Sequence, residues 1–170
     1  KIVVIDDRLA FCGGIDTTTG RGDTRDHLDA HPLRKAPTTG KPYDPWHDAT
    51  MAVEGEAARA LGDLARERWF KATWERTVPD EVPSDPWPDG TPVQMTDVPV
   101  GIARTEPKWG GRHEVRENEA LHLEAIRRAK KLIYFENQYF TSPVIAAALA
   151  ARLAEVDGPE VVVVSPGQSP

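Results

Sequence analysis

Cysteine is nearly missing from this sequence: Cys12 is the one thiol in 170 residues. No internal disulfide can form and a thiolate zinc site has no second ligand, which excludes disulfide scaffolds and zinc ribbons and leaves the compartment open. No apolar run approaches the roughly 18 residues that a membrane-crossing helix needs. Positive charge is not in excess either. Against 27 acids stand 21 Lys and Arg, a net charge of -6, which argues against a general nucleic-acid coat but leaves room for a local cationic site. What remains, 39% hydrophobic and 28% charged residues, is the composition of an ordinary globular domain or part of one, so disordered and collagen-like classes fall away.

Thirteen Gly and 15 Pro imply a loop-rich chain, with enough Val, Ile and Leu beside them for a core. Ile2-Val3-Val4-Ile5, then Asp6-Asp7-Arg8, then Leu9-Ala10-Phe11-Cys12-Gly13 predict two short strands joined by a tight polar turn. The chain opens on Lys1 rather than Met with this pattern already under way, as expected of a piece of a longer protein. Residues 17–45 have no sustained period and are rich in Thr, Asp, Gly, Arg and Pro, a long loop of the kind that serves a site. Residues 48–53 alternate as a strand does. From Glu56 the period changes: Ala57, Leu61, Leu64, Ala65 and Trp69 recur every three or four residues, so the strand runs into an amphipathic helix.

Five prolines within residues 77–92 exclude both helix and central strand there. A further strand is expected within 93–104, and Pro107-Lys108-Trp109-Gly110-Gly111 reads as a loop. Asn118 is expected to cap a helix carrying Leu121, Ala125, Ile126 and Ala129, with Arg127, Arg128, Lys130 and Lys131 suiting its C-terminal end. Residues 132–135 follow as a short buried strand. Ser142-Pro143 then predicts an N-cap and first turn, Ile145, Leu149, Leu153 and Val156 one helix face, Gly158 its end, and residues 160–164 a last apolar strand. This alternation predicts an α/β layered architecture with a mixed, largely parallel sheet flanked by helices, incomplete within this chain. No internal repeat is visible.

A lysine at a strand start is by itself ordinary, a solvated strand end more often than not. Here Lys1 is followed after four residues by Asp6 and, after six more, by Gly13-Gly14-Ile15-Asp16. That spacing resembles the phospholipase D superfamily motif, His-x-Lys-x4-Asp-x6-Gly-Gly/Ser-x-Asn/Asp, with its histidine two places before Lys1. Gly20-Arg21-Gly22-Asp23-Thr24, Pro45-Trp46-His47-Asp48, Glu54-Gly55 with Ala57, and Glu136-Asn137-Gln138-Tyr139-Phe140 resemble, in order, further segments of the phosphatidylcholine-type members. The resemblance runs from Lys1 to about Ser165 and implies a phospholipase D-like fold with two such motifs, related by a pseudo-two-fold, meeting at one site. On that reading residues 1–76 are the first-half motif region, 77–116 an irregular Pro-rich connection, and 117–170 the start of the second half. The 170 residues carry neither motif histidine and are expected to be inactive alone.

The resemblance makes Lys1, Asp6 and Asp48 candidate catalytic residues. Lys1 is a compact cation suited to a non-bridging oxygen of a phosphodiester, where charge grows in the transition state. Asp6, five residues on, fits a role in holding the turn at least as well as contact with substrate. In the family the acid at Asp48 accepts the hydrogen bond of the second motif's histidine, which protonates the leaving alcohol. Candidate substrate-binding residues are Gly13 and Gly14, where a side chain would obstruct close approach, together with Asp16, Trp46, His47, Glu136, Asn137 and Gln138. For Gly13 and Gly14 the plain alternative is a bulge; for His47, packing beside Trp46; for Glu136-Asn137-Gln138, a strand-to-helix turn at the edge where α/β sheets place ligands. Trp46 and Tyr43 are candidates for a rim whose aromatic faces hold a quaternary ammonium.

Asp16 stands where nuclease-like members carry Gly-Ser-x-Asn, which favours lipid over nucleic acid. His27, His31, His113 and His122 match no metal spacing and read as surface residues. No metal or other cofactor is expected, since on the family's pattern lysines supply the positive charge. Arg21-Gly22-Asp23 also spells an adhesion tripeptide, but its place in the ordered set favours the family's loop. The implied partner is a phospholipid at a membrane surface, with no nucleic acid and no transmembrane segment. No targeting signal is legible; a peripheral-membrane or cytoplasmic location is compatible with the resemblance. Two alternatives stay open: a cardiolipin-synthase-like phosphatidyltransferase, and a non-catalytic module binding anionic lipid.

Overall fold

The computed structural model describes residues 1–79 and 86–166. The chain divides into two units, Lys1–Val98 and Pro99–Pro170. Of the Pro-rich connection, residues 80–85 lie outside the described residues; its remainder within 77–92 has neither helix nor strand.

In the first unit, β1 (Ile2–Ile5), β2 (Leu9–Gly13) and β3 (Thr50–Glu54) form an antiparallel sheet in that order. The predicted hairpin is present, in the register Val4↔Ala10 and Ile5↔Leu9. Its turn needs two left-handed residues, Asp6 at φ 52 and Asp7 at φ 55, and Asp is among the few residues that reach this region. The Arg8 N–H closes the turn on the Ile5 carbonyl at 3.0 Å. α1 (Glu56–Thr73) lays Ala58 and Leu61 on Ala10, with Ile2, Val4 and Val53 around them. Val4, Ala10 and Val53 are cross-strand neighbours, so one sheet face presents a single apolar row to the helix. Burying a side chain such as Leu61 contributes about 2 kcal/mol.

Glycine inside a helix is unfavourable, and α1 keeps Gly62 for a steric reason: a Cβ there would collide with the Asp7 carboxylate. Asp7 takes both donors of Arg66, four residues further along α1, at 2.7 Å each. This bidentate pair anchors the hairpin turn to the helix.

In the second unit, β4 (Thr105–Glu106) pairs antiparallel with β5 (Val115–Arg116), and α2 (Glu117–Arg128) follows at once. β6 (Leu132–Glu136) runs through α3 (Pro143–Leu153) into β7 (Glu160–Val164), and β6 and β7 pair parallel from Leu132↔Glu160 to Glu136↔Val164. Ile126, Ile133 and Leu149 form the core, flanked by Phe135, Ile145 and Val161. Ser142 caps α3, its Oγ accepting the Ile145 N–H at 3.4 Å, with Pro143 in the first turn, as the sequence predicted.

The α/β class holds. Parallel pairing among the described residues belongs to β6 and β7, while the sheet of the first unit is antiparallel, because it begins with a tight hairpin that cannot join parallel strands. Three local expectations are corrected. Residues 93–104 carry no strand; Pro99 and Gly101 interrupt them, and Val93, Val98, Val100 and Ile102 stand exposed rather than paired. Asn118 does not cap α2: Arg116 holds the N-cap position and the helix begins at Glu117, so Asn118 lies in the first turn, where its N–H donates to the Arg104 carbonyl at 3.2 Å. The strand expected from residue 48 begins at Thr50, which leaves Asp48 in the segment leading into it. No helix among the described residues is long and apolar enough to cross a membrane.

Candidate functional site

Lys1 precedes β1 directly, and its carbonyl accepts the Gly13 N–H at 3.1 Å, which extends the β1–β2 ladder by one step. The Lys1 side chain turns across the strand ends. Its Nζ donates to the Gly14 carbonyl at 2.6 Å and pairs with Asp16 Oδ1 at 3.0 Å. Gly13 and Gly14 are required where β2 meets the chain entering β3. A Cβ on Gly13 would stand 2.6 Å from the Ala49 carbonyl oxygen, and one on Gly14 would stand 2.5 and 2.8 Å from the two Asp48 oxygens. Asp48 Oδ1 accepts the Ala49 N–H at 2.8 Å, which fixes the carboxylate in that position. Lys1 and Asp48, 47 positions apart, therefore meet at one residue: the ammonium on the Gly14 carbonyl, the carboxylate over the Gly14 Cα.

Asp16 extends the cluster. Its second oxygen lies 3.8 Å from Arg21 Nη2, and the Arg21 guanidinium carbon sits 3.6 Å from the centre of the Trp46 ring, a stacked cation–π contact. The hydrogen bond from Lys1 foremost, with the charges of Lys1 and Arg21 adding to it, holds the Asp16 carboxyl below its ordinary value, against an opposing effect of burial second only to that bond. One face of the Trp46 indole is thus occupied by the chain's own cation. The hydroxyl of Tyr43, the other expected rim residue, accepts the Gly22 N–H at 3.2 Å. His47 lies at the surface beside this cluster.

Asp6, at the far end of β1, has an exposed side chain and no side-chain partner among the described residues. The turn is tied down by its neighbour, Asp7. The long loop is also organised from within. Arg34, 4% exposed, donates to the carbonyls of Asp29 and Leu28 at 2.8 and 2.9 Å and to Asp23 Oδ1 at 2.8 Å. Asp23 also meets His27 Nδ1 at 2.7 Å. Hydrogen bonds from His27, the Thr24 backbone and Arg34 together hold the Asp23 carboxyl far below the usual range. None of Asp7, Arg66 or Arg34 stood out in the sequence. Gly62 inside a helical period was the one available signal, since such a glycine marks close approach.

In the second unit, Glu136 ends β6, where the Tyr134 hydroxyl donates to it at 3.5 Å. Asn137 turns the chain, its Oδ1 accepting the Tyr139 N–H at 3.4 Å and its own N–H donating to the Val164 carbonyl at 3.1 Å. Gln138 is exposed. All three thus stand at the carboxyl end of the parallel pair. His122 stacks on Phe135, with ring centres 6.1 Å apart. Among the described residues no cluster of His, Cys, Asp and Glu has the arrangement to hold a metal ion.

No family model matches the chain. Phospholipase D A of Dictyostelium discoideum is 32% identical over 174 residues, which cover 84% of this chain and 13% of that protein. Phospholipase D alpha 1 of Vigna unguiculata is 30% identical over 191 residues, covering 82% and 24%, and phospholipase D alpha 2 of Oryza sativa subsp. japonica 28% over 172 residues, covering 78% and 21%. The chain belongs to the phospholipase D superfamily. It spans 26% or less of the length of the relatives named phospholipase D that it matches. As a phospholipase D segment, it gathers motif positions Lys1, Gly13, Gly14 and Asp16 with Trp46 and Asp48 into one cluster of the first unit, and leaves motif position Asp6 outside it.

Proposed function

We propose that the full-length protein is a phospholipase D-type phosphodiesterase that hydrolyses or transfers phosphatidyl groups, and that Lys1 and Asp48 belong to its reaction centre. The single observation that carries this reading is the meeting of the Lys1 ammonium and the Asp48 carboxylate at Gly14. A cation there neutralises a non-bridging oxygen of the phosphodiester, most strongly as charge builds in the transition state. A carboxylate beside it orients an imidazole and raises its basicity.

The reaction runs in two displacements. A motif histidine attacks phosphorus; the N–P bond forms as the P–O bond to the head-group alcohol breaks, and the second histidine, held by Asp48, gives its proton to the departing oxygen. Water or another alcohol then attacks the phosphohistidine. The same histidine takes its proton, and phosphatidic acid or a transferred phosphatidyl ester leaves. The 170 residues alone, with neither histidine, are inactive on this scheme. Glu136, Asn137 and Gln138, at the carboxyl end of β6, are proposed to contribute to substrate binding.

The full-length protein, given phosphatidylcholine vesicles with ethanol, is expected to release choline and form phosphatidylethanol, and acid quenching is expected to trap phosphorylated histidine. Vesicle binding without any phosphatidyl product would overturn the enzymatic reading in favour of a lipid-binding module. Transfer to a lipid alcohol with no hydrolysis in its absence would favour the cardiolipin-synthase-like alternative.

A further inference from the structure

Two guanidinium groups of the first unit, Arg34 and Arg66, are closely committed. Arg34 makes three bonds at 2.8 to 2.9 Å, and Arg66 three at 2.7 to 2.8 Å. Arg21 is held more loosely at its Nη atoms. Its Nη1 reaches the Gly20 carbonyl at 3.4 Å and its Nη2 lies 3.8 Å from Asp16, while its Nε, like that of Arg34, is shielded from solvent with no hydrogen-bond partner among the described residues. What holds the group in place is the face of Trp46 at 3.6 Å, which fixes its plane and uses none of its N–H donors. Lys1 and Arg21 approach the two different oxygens of the one Asp16 carboxylate. They are therefore two cations separated by the width of an oxyanion. The O–C–O span of a carboxylate and the O–P–O span of a phosphodiester are close, and a planar guanidinium suits such paired oxygens better than an ammonium does.

We propose that Arg21 is a second phosphate-binding cation of this site, taking one non-bridging oxygen while Lys1 takes the other, and that Asp16 is the internal anion with which the phosphate competes. The ligand class is a phosphate ester, and the assignment rests on the proposed function above. Trp46 serves on this account as the platform that aims Arg21. Its role differs from the ammonium-binding rim expected of it together with Tyr43.

The test uses the full-length protein with inorganic phosphate as the probe, measured by calorimetry for wild type, Arg21→Met, Arg21→Lys and Lys1→Met. Arg21→Met is expected to weaken phosphate binding about 10-fold, as loss of a charge-assisted hydrogen bond does. Arg21→Lys, which keeps charge without the fork, should weaken it by less. Phosphate should also protect Arg21 of the wild type from phenylglyoxal, read by peptide mass spectrometry, a measurement that needs no variant to fold. If Lys1→Met weakens binding while Arg21→Met leaves it unchanged, or if phosphate gives Arg21 no protection, Arg21 only packs on Trp46 and this inference falls. If neither variant alters phosphate binding, the anion pocket of the proposed function falls with it.

Discussion

The Asp48 carboxylate closes over Gly14, so a methyl group on that residue would stand 2.5 Å from Oδ1. Contact this close forces either the carboxylate or the strand end to move. Gly14→Ala in the full-length protein should lower kcat for phosphatidylcholine hydrolysis by about 100-fold, because an ångström of displacement costs that much in a positioned site. The melting temperature should change little, since Gly14 and Asp48 lie at exposed strand ends. Steady-state kinetics beside a thermal scan measures both.

Asp16 sets one negative charge against the two cations Lys1 and Arg21. Asp16→Asn should therefore tighten inorganic phosphate binding several-fold, on the order of 1 kcal/mol per removed like charge at a solvent-exposed site, and calorimetry reads the change. The gain should shrink in high salt, where exposed charges are screened.

The turn-to-helix anchor is a stability device. Arg66→Met strips both bonds from the partly buried Asp7 carboxylate and should cost about 2 kcal/mol, the range for leaving a shielded charged acceptor unpaired. Gly62→Ala should also destabilise, although alanine ordinarily strengthens a helix, because its methyl meets that same carboxylate. Chemical denaturation of each variant measures the loss.

Glu117 accepts the Arg104 backbone N–H at 3.0 Å and its guanidinium at 2.8 and 2.6 Å. These bonds, the side-chain one foremost, lower the carboxyl from 4.5 to about 2. A carboxyl depressed by folding stabilises the native state fully above its unfolded value and loses that contribution as pH falls through the folded one. The melting temperature of wild type should therefore fall between about pH 5 and pH 2 by more than that of Glu117→Gln. Equal slopes for the two would contradict the assignment.

Much of the scaffold was legible because it is periodic. The hairpin announced itself through two apolar runs around Asp6-Asp7-Arg8, α1 through Leu61 and Leu64, and α3 through Ser142-Pro143. The strand expected within 93–104 failed because apolar content alone does not supply a pairing partner, and the cap expected at Asn118 failed because α2 follows β5 at once and begins at Glu117, which puts Asn118 inside its first turn. Within the site, Lys1, Gly13, Gly14 and Asp16 could be named from motif spacing, and Asp48 from the resemblance of Pro45-Trp46-His47-Asp48 to a segment of the family. The stacking of Arg21 on Trp46 could not, since the 24 positions between them have no period and the contact depends on how the loop closes. Arg34 was illegible for the same reason, and two of its three partners are backbone carbonyls, which leave no trace in residue identity.

The most direct measurement is the rate of choline release from phosphatidylcholine by Lys1→Met in the full-length protein, with a thermal scan to verify the fold. The account predicts a fall in kcat of at least about 100-fold at an unchanged melting temperature, as when a transition-state charge contact is lost. A variant that folds normally and releases choline at the wild-type rate would contradict it.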